Sequence, residues 1–257
     1  MKPLKGRLII VELLPHSFQE EAADMNPQEE FFVQNLLEWF KDHGRHLPWR
    51  RSNATPYEIL VAELMLKKTR AENVVEPFLR FITEFPTPKD IVVAPDDTLK
   101  DILQPLGLFR QRFISFKVIF SKIVEEYHGE IPRLKEQLLE LPYVGEYTAN
   151  AVLCFGYSRD LPIVDVNVTR VCQRYFGLDV YGDPRVDKHI WDLLERILPK
   201  GLSKEFNFAL LDLGSLVCTS RRPKHETCPL RSFCNEAQKK VSADLFINNN
   251  SELVSRY

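Results

Sequence analysis

Prolines divide this chain into short segments, and their spacing constrains the fold more than any other feature of the sequence. A proline inside a helix removes a backbone donor and clashes with the preceding turn, so helices end before it or begin at it. Between the prolines, apolar residues recur at the period of one helical face. These runs are 31–40, 59–66, 74–85, 99–103, 113–127, 134–139, 148–155, 168–176, 190–197 and 206–217. The pattern predicts an all-α protein of many short helices, while the stretch 7–14 fits either a strand or part of a helix.

Composition excludes several classes of protein. With 257 residues, of which 44% are apolar and 27% charged, the chain can bury the core of one domain or of two small ones. Disordered, collagen-like and disulfide-scaffold proteins have other compositions. The net charge of −2 by itself argues against nucleic-acid binding. However, residues 1–30 carry a charge of −3, so residues 31–257 carry +1 and a basic face remains possible.

Neither a membrane span nor a disulfide framework is expected. The apolar stretch 8–14 is interrupted by Glu12 and is far shorter than the roughly 20 residues that a span requires. Five cysteines in a chain of this length do not make a disulfide framework. Cys154 and Cys172 lie in apolar helical runs and are predicted core residues. We therefore expect a soluble intracellular protein.

A short segment, Leu-Pro-Tyr-Val-Gly-Glu-Tyr-Thr-Ala at 141–149, connects two helical runs. Gly145 would open the second helix, so that its first free N–H groups could face a phosphate without an intervening side chain. A turn between two packed helices has much the same sequence. This segment alone does not choose between the two interpretations.

Two acids lie among apolar residues. Asp165 precedes a helical run, where it could be an N-cap, a catalytic carboxylate or both. Glu63 lies inside an apolar run, where an unpaired carboxylate is costly unless it is neutralised or used. Lys67 follows Glu63 by four positions, so a helical ion pair is the alternative explanation.

The C-terminal part contains four possible metal ligands within seventeen positions, in the pattern Cys-x6-His-x2-Cys-x5-Cys. They are Cys218, His225, Cys228 and Cys234. Thiolates and imidazole ligate both zinc and iron–sulfur clusters, and this spacing does not distinguish the two. A chance grouping of core cysteines is the weaker alternative.

In this order, the motifs over residues 31–234 resemble the helix-hairpin-helix DNA glycosylases, which include endonuclease III and the adenine and thymine mismatch glycosylases. The family hairpin L-P-G-V-G-x-[KYS]-T-A is matched at 141–149 except at Tyr143. The family's catalytic aspartate, in V-D-x-[NH]-x-x-R-V, falls on Asp165. Its C-x6-C-x2-C-x5-C loop, which holds a [4Fe–4S] cluster, falls on the four ligands above, with His225 in place of one cysteine. A neutral imidazole should raise the cluster potential.

The resemblance implies an endonuclease III-like architecture of two helical domains. The six-helix barrel domain with the hairpin is expected at 49–159, and the iron–sulfur domain at 27–48 plus 160–257. Residues 1–26 would form an N-terminal extension.

A few positions indicate the branch of the family. Bifunctional members have lysine where this chain has Tyr147, and a phenol cannot form the Schiff base that cuts the strand, so a monofunctional enzyme is expected. Lys67-Lys68-Thr69 is closer to the R-R-T of thymine enzymes than to the Q-Q-T of adenine enzymes. The tail after Cys234 is also too short for the extra domain of adenine enzymes. Thymine or uracil opposite guanine is therefore the expected substrate, with adenine mismatches or a silent DNA-binding or redox-sensing role as alternatives.

The resemblance also implies roles for individual residues. Asp165 would stabilise the positive charge of the transition state, Glu63 would contact the extruded base, and Tyr147 would line the pocket. Double-stranded DNA would be the partner, bound by a monomer with modest, salt-sensitive affinity. The expected DNA contacts are Lys67 and Lys68, the hairpin residues Val144, Gly145 and Thr148, and the cations Arg110, Arg112, Arg221, Arg222, Lys224 and Arg231. Tyr143, in place of the first hairpin glycine, implies either an unstrained φ at that position or an altered hairpin.

Overall fold

The computed structural model describes residues 25–179, 183 and 187–239. Within these ranges the regular structure is helical and no strand occurs, which confirms the all-α fold class. The α-helices are α1 (Pro27–His43), α2 (Pro56–Leu66), α3 (Ala71–Glu84), α4 (Pro88–Val93), α5 (Asp96–Leu103), α6 (Phe109–Tyr127), α7 (Lys135–Leu139), α8 (Glu146–Ala151), α9 (Val166–Phe176), α10 (Lys188–Ile197) and α11 (Ser203–Leu216). The ambiguous stretch 7–14 and most of the expected extension 1–26 lie outside the described residues.

The prolines act as helix starts, as expected. Helices α1, α2 and α4 each have a proline in their first turn, where its missing N–H costs nothing. At α2, the hydroxyl of Thr55 accepts from the N–H of Glu58 at 3.2 Å, and the Glu58 carboxylate accepts from the N–H of Thr55 at 2.8 Å. This reciprocal cap fixes the first turn. Every predicted run lies on a helix. Among the α-helices of the described residues, the sequence does not indicate α4, whose apolar residues 91–93 are consecutive and show no helical spacing.

The chain divides into two compact units. The terminal unit consists of the described residues up to Gly44 and from Val164 onward, and the central unit is Arg45–Ile163. In the terminal unit, α1 and helices α9 to α11 enclose a core that includes Phe32, Tyr175 and Phe206.

The central unit has an aromatic core. The rings of Phe81 and Phe116 meet edge to face at 5.2 Å between centroids, and Phe116 also contacts Phe120. Cys154 in this unit and Cys172 in the terminal unit are both buried, which confirms their prediction as core residues. Among the residues with described positions, no helix is long and apolar enough to cross a membrane.

Candidate functional site

Asp165 is the N-cap of α9 in the terminal unit. Its Oδ1 accepts from the backbone N–H groups of Asn167 at 2.8 Å and Val168 at 2.7 Å. Its Oδ2 accepts from the side-chain amide of Asn167 at 2.8 Å. The N-cap interpretation is therefore confirmed, and these three donors hold the half-buried carboxylate in one orientation.

A chain of hydrogen bonds joins Asp165 to the cysteine-rich loop. Arg170, on α9, donates from Nη2 to Oδ1 of Asn167 at 2.9 Å and to the carbonyl of Gly214 at 2.7 Å. Its Nε donates to the carbonyl of Cys218 at 2.9 Å. A Cβ on Gly214 would lie 2.9 Å from that of Asn167, so only glycine permits this close approach. The sequence motif contains Arg170, but its spacing alone does not reveal this connection.

The candidate metal loop, residues 218–234, is held by a second arginine of α9. Arg174 donates to the carbonyls of Thr219 at 2.7 Å and Ser220 at 2.9 Å. Burial raises the pKa of Cys228 to about 11, against the lowering effect of a backbone hydrogen bond with Leu230 and with further raising by Cys218 and Cys234. Burial likewise raises the pKa of Cys234, with a further contribution from Cys218, and binding of a metal would favour the thiolate form of both residues.

The donor set of this loop fits an iron–sulfur cluster. Three free thiols and one imidazole are ligands that iron–sulfur clusters accept. Within the described part of the chain, no three His, Cys, Asp or Glu side chains are arranged to hold a metal ion. A four-iron cluster takes one protein ligand per iron, so its ligands are farther apart than those of one zinc ion. By its donor types, this loop can hold an iron–sulfur cluster.

Glu63 lies in α2 of the central unit and is only 5% exposed. Helix α2 ends at Leu66, so Lys67 is the residue after the helix and does not continue its face. Burial lowers the pKa of Lys67, while the nearby Glu63 carboxylate opposes this shift and Arg112 adds to it. The Lys67 ammonium also donates to the carbonyl oxygen of Tyr143 in the hairpin. Lys67 and Glu63 therefore interact electrostatically, and the same lysine also contacts the hairpin.

The hairpin at 141–149 has one strained residue. Tyr143 is 57% exposed with a φ of +63°, so the first of the two alternatives for this position, an unstrained φ, does not hold. A Cβ added to Gly145 would meet no atom within 4 Å, which leaves the start of α8 open to an approaching backbone. The side chains of Val144 and Thr148 are buried, so these residues could offer a ligand only their backbone groups. Tyr147 is half-buried in the first turn of α8.

The predicted basic surface is partly wrong. Arg112 is buried, and its guanidinium donates to backbone carbonyls of the central unit, so it cannot contact a phosphate. The other predicted cations are exposed, namely Lys67, Lys68, Arg110, Arg221, Arg222, Lys224 and Arg231. The structure also exposes two apolar residues at the start of α6, Leu108 and Phe109, for which the sequence gives no specific signal.

The hairpin, the capped aspartate and the cysteine-rich loop, carried on two helical units, define the class of helix-hairpin-helix DNA repair proteins. Residues 61–196 match the HhH-GPD superfamily of base excision DNA repair proteins, and residues 218–234 match the iron-sulfur binding domain of endonuclease III. The chain belongs to the HhH-GPD superfamily.

Individual relatives agree with this assignment. The thymine-DNA glycosylase of Aeropyrum pernix is 37% identical over 205 residues, which cover 78% of this chain and 92% of the relative. The thymine/uracil-DNA glycosylase of Methanothermobacter thermautotrophicus is 31% identical over 83% of this chain and 96% of its own. The solved structure of a thermostable thymine-DNA glycosylase superimposes with a TM-score of 0.79 at 31% identity, covering 85% of this chain and 99% of that one. The predicted family and endonuclease III-like fold are confirmed.

Proposed function

We propose that this chain is a monofunctional DNA glycosylase that removes thymine or uracil mispaired with guanine. The similarity to the A. pernix thymine-DNA glycosylase, which extends over nearly the whole of that protein, carries the proposal. The substrate is double-stranded DNA, and the enzyme acts as an intracellular monomer. Because a paired base is inaccessible inside a duplex, the target nucleotide must first be extruded, and a mispair lowers that cost.

Asp165 acts on the sugar. When the bond between the sugar C1′ and the base nitrogen breaks, its electron pair leaves with the base and positive charge develops on the sugar. A carboxylate already oriented by three N–H donors stabilises that charge without reorganising. Water then adds to C1′ and releases a proton, which Asp165 can accept.

Glu63 and Tyr147 act on the extruded nucleotide. Glu63, buried at mid-helix, contacts the edge of the base and donates a proton to it as the bond to C1′ breaks, so that the base leaves as a neutral molecule. Tyr147 lines the pocket, and its phenol provides no amine for a Schiff base with the sugar. Base removal should therefore leave an intact strand.

The DNA backbone contacts come from separate surfaces on the two units. At the hairpin, the open side of Gly145 admits a phosphate to the N–H groups that begin α8. Lys68 fills the vacated stack or contacts the orphan guanine. On the metal loop, Arg221, Arg222 and Lys224 contact phosphates, which position the enzyme without reading sequence.

A [4Fe–4S] cluster held by Cys218, His225, Cys228 and Cys234 completes the loop. The cluster, when bound, supplies the crosslink that orders the backbone carrying the loop cations. Iron and sulfide analysis of the purified protein, with the absorption spectrum, tests the cluster. His225→Cys should retain the cluster with a lower reduction potential, and His225→Ala should lose iron if the imidazole is a ligand. Unchanged iron content in His225→Ala would remove His225 from the ligand set.

The activity is tested with labelled duplexes containing G·T, G·U, A·G or A opposite 8-oxoguanine, each treated with alkali after incubation. Cleavage is expected at G·T and G·U only, and an A·T duplex is the negative control. Cleavage confined to the adenine-containing mispairs would instead indicate an adenine glycosylase. Asp165→Asn should bind the G·U duplex normally but excise at least about 10²-fold more slowly.

A further inference from the structure

Arg112 is a buried arginine whose guanidinium serves two loops of the central unit. Nη1 donates to the carbonyl of Leu64 at 2.6 Å, and Nη2 donates to the carbonyl of Lys67 at 2.5 Å. Both carbonyls are at the C-terminal end of α2, where the last turn lacks helical donors and a cation is favourable. Arg112 therefore secures the end of the helix that carries Glu63.

The turn after α2 depends on the same guanidinium. Nη2 of Arg112 also donates to the hydroxyl of Thr69 at 2.6 Å, and that hydroxyl donates to the carbonyl of Leu106 at 3.0 Å. Lys68, in the middle of the turn, has a φ of +56°. A side chain keeps this left-handed conformation only where the surrounding contacts impose it. The hydrogen bonds of Arg112 on both sides of Lys68 impose it here.

Lys67 extends this connection to the hairpin. Its carbonyl oxygen accepts from Arg112, while its ammonium donates to the carbonyl oxygen of Tyr143. Tyr143, like Lys68, has a positive φ. Two strained residues on separate loops are thus joined through one lysine, and the lysine is held by Arg112.

We propose that Arg112 and Lys67 form a brace that sets the hairpin and the Glu63 helix in one arrangement, which makes both of them positioning residues for base excision. The brace rests on the proposed function, since it couples phosphate binding at the hairpin to the orientation of Glu63 toward the base. The exposed Lys67 ammonium is then held by the Tyr143 carbonyl, which leaves Lys68 as the proposed DNA contact of this turn. The connection lies wholly within the central unit.

Hydrogen–deuterium exchange of the full-length protein tests the brace without requiring activity. In Lys67→Met, the hairpin peptide containing the Val144 amide, which donates to the Leu141 carbonyl at 3.2 Å, should exchange faster. In Arg112→Met, the same peptide should also exchange faster, although Arg112 reaches the hairpin only through Lys67. Lys67→Arg keeps a donor and should restore slow exchange.

Lys117→Met is the matched control, because Lys117 is also on α6 and donates to the carbonyl of Ala94 at 2.9 Å. This variant loses a similar hydrogen bond but should leave exchange in the hairpin unchanged. If Arg112→Met does not fold, as judged by far-UV circular dichroism, Lys67→Met with its arginine rescue still decides the question. Unchanged hairpin exchange in Lys67→Met would overturn the brace.

The rate of base excision by the same variants tests whether the brace affects catalysis. At saturating G·U duplex, each single variant should slow excision about 10²-fold, the cost of misplacing a reacting group by about 1 Å, with little change in DNA affinity. The double variant should be no slower than the slower single variant, because both break one connection. Additive losses, or loss of affinity without loss of rate, would contradict the brace. An inactive wild-type protein would refute the proposed function, while the exchange measurements would still decide the brace.

Discussion

Arg170 links the capped Asp165 to the metal loop, and replacing it should damage stability and catalysis separately. Arg170→Met keeps the aliphatic stem but removes three hydrogen bonds, to the Asn167 side chain and to the carbonyls of Gly214 and Cys218. The Asn167 amide then loses the partner that fixes its orientation. Asp165 consequently loses the fixed donor to its Oδ2.

The stability loss follows from these three bonds. A hydrogen bond from a charged donor contributes about 1.5–3 kcal/mol. Because the Arg170 side chain is half-buried, water replaces part of each lost bond in the variant. We therefore expect Arg170→Met to lower the free energy of unfolding by about 3 kcal/mol. The catalytic loss is separate, because Asp165 keeps its two backbone donors but gains freedom at Oδ2. A misplacement of this kind should slow excision about 10-fold to 10²-fold.

Arg174→Met separates the two effects. Arg174 is also on α9 and secures the metal loop through Thr219 and Ser220, but within the described part of the chain its guanidinium donates to this loop and not to Asn167. Urea unfolding followed by circular dichroism should give a similar loss of stability for both variants. Single-turnover excision from a G·U duplex, corrected for cluster content, should be slow only in Arg170→Met.

Two results would refute this reasoning. If Arg170→Met excises uracil at the wild-type rate with a full cluster, the bond between Arg170 and Asn167 does not orient Asp165. If both variants slow equally, the metal loop as a whole affects the rate and the specific path through Asn167 is wrong.

Three further predictions concern other parts of the chain. Tyr143→Gly should raise the urea midpoint, because relief of about 1–2 kcal/mol of left-handed strain exceeds the backbone entropy cost of about 0.5–1 kcal/mol; a lower midpoint would mean that the tyrosine ring stabilises the hairpin. Tyr147→Lys should acquire strand cleavage without alkali and a borohydride-trapped DNA adduct, since it restores an amine that can attack the sugar. The pKa of Glu29 is lowered because hydrogen bonds from Arg196 and Asn26 outweigh the opposing effect of burial. The stabilisation from Glu29 is therefore present above its unfolded pKa of about 4.3 and lost as the pH falls through its lower folded value. Glu29→Gln should flatten this acid limb in urea titrations.

The helices could be predicted from the sequence because their signals are local. The helix that begins at Pro56 is capped by Thr55 and Glu58, so the four residues 55–58 mark its start. The apolar run that follows has the period of a helix. The cap at Asp165 is equally local. By contrast, the apolar residues of α4, at 91–93, follow one another directly, so they do not show the spacing of a helical face.

The partners of long polar side chains could not be predicted in this way. Arg112 finds the Leu64 carbonyl 48 positions away, and Arg170 finds the Cys218 carbonyl at the same separation. The sequence does not indicate whether an arginine side chain faces solvent or a buried helix end. Sequence alone therefore predicts a surface charge in either case. Only the packing of α6 against the end of α2 decides that Arg112 is enclosed.

This difference changes what net charge implies about DNA binding. Counting Arg112 as a phosphate contact overstates the positive charge available near the turn after α2, because its guanidinium donates to carbonyls inside the central unit. Lys67 and Lys68 are both exposed at that turn, and the Lys67 ammonium also donates to the Tyr143 carbonyl. A cation that is used internally fixes geometry, whereas an exposed cation releases counterions on binding. A weakly charged chain can therefore recognise a mispair, because its internal cations order the groups that contact the extruded base while few exposed ones hold the duplex.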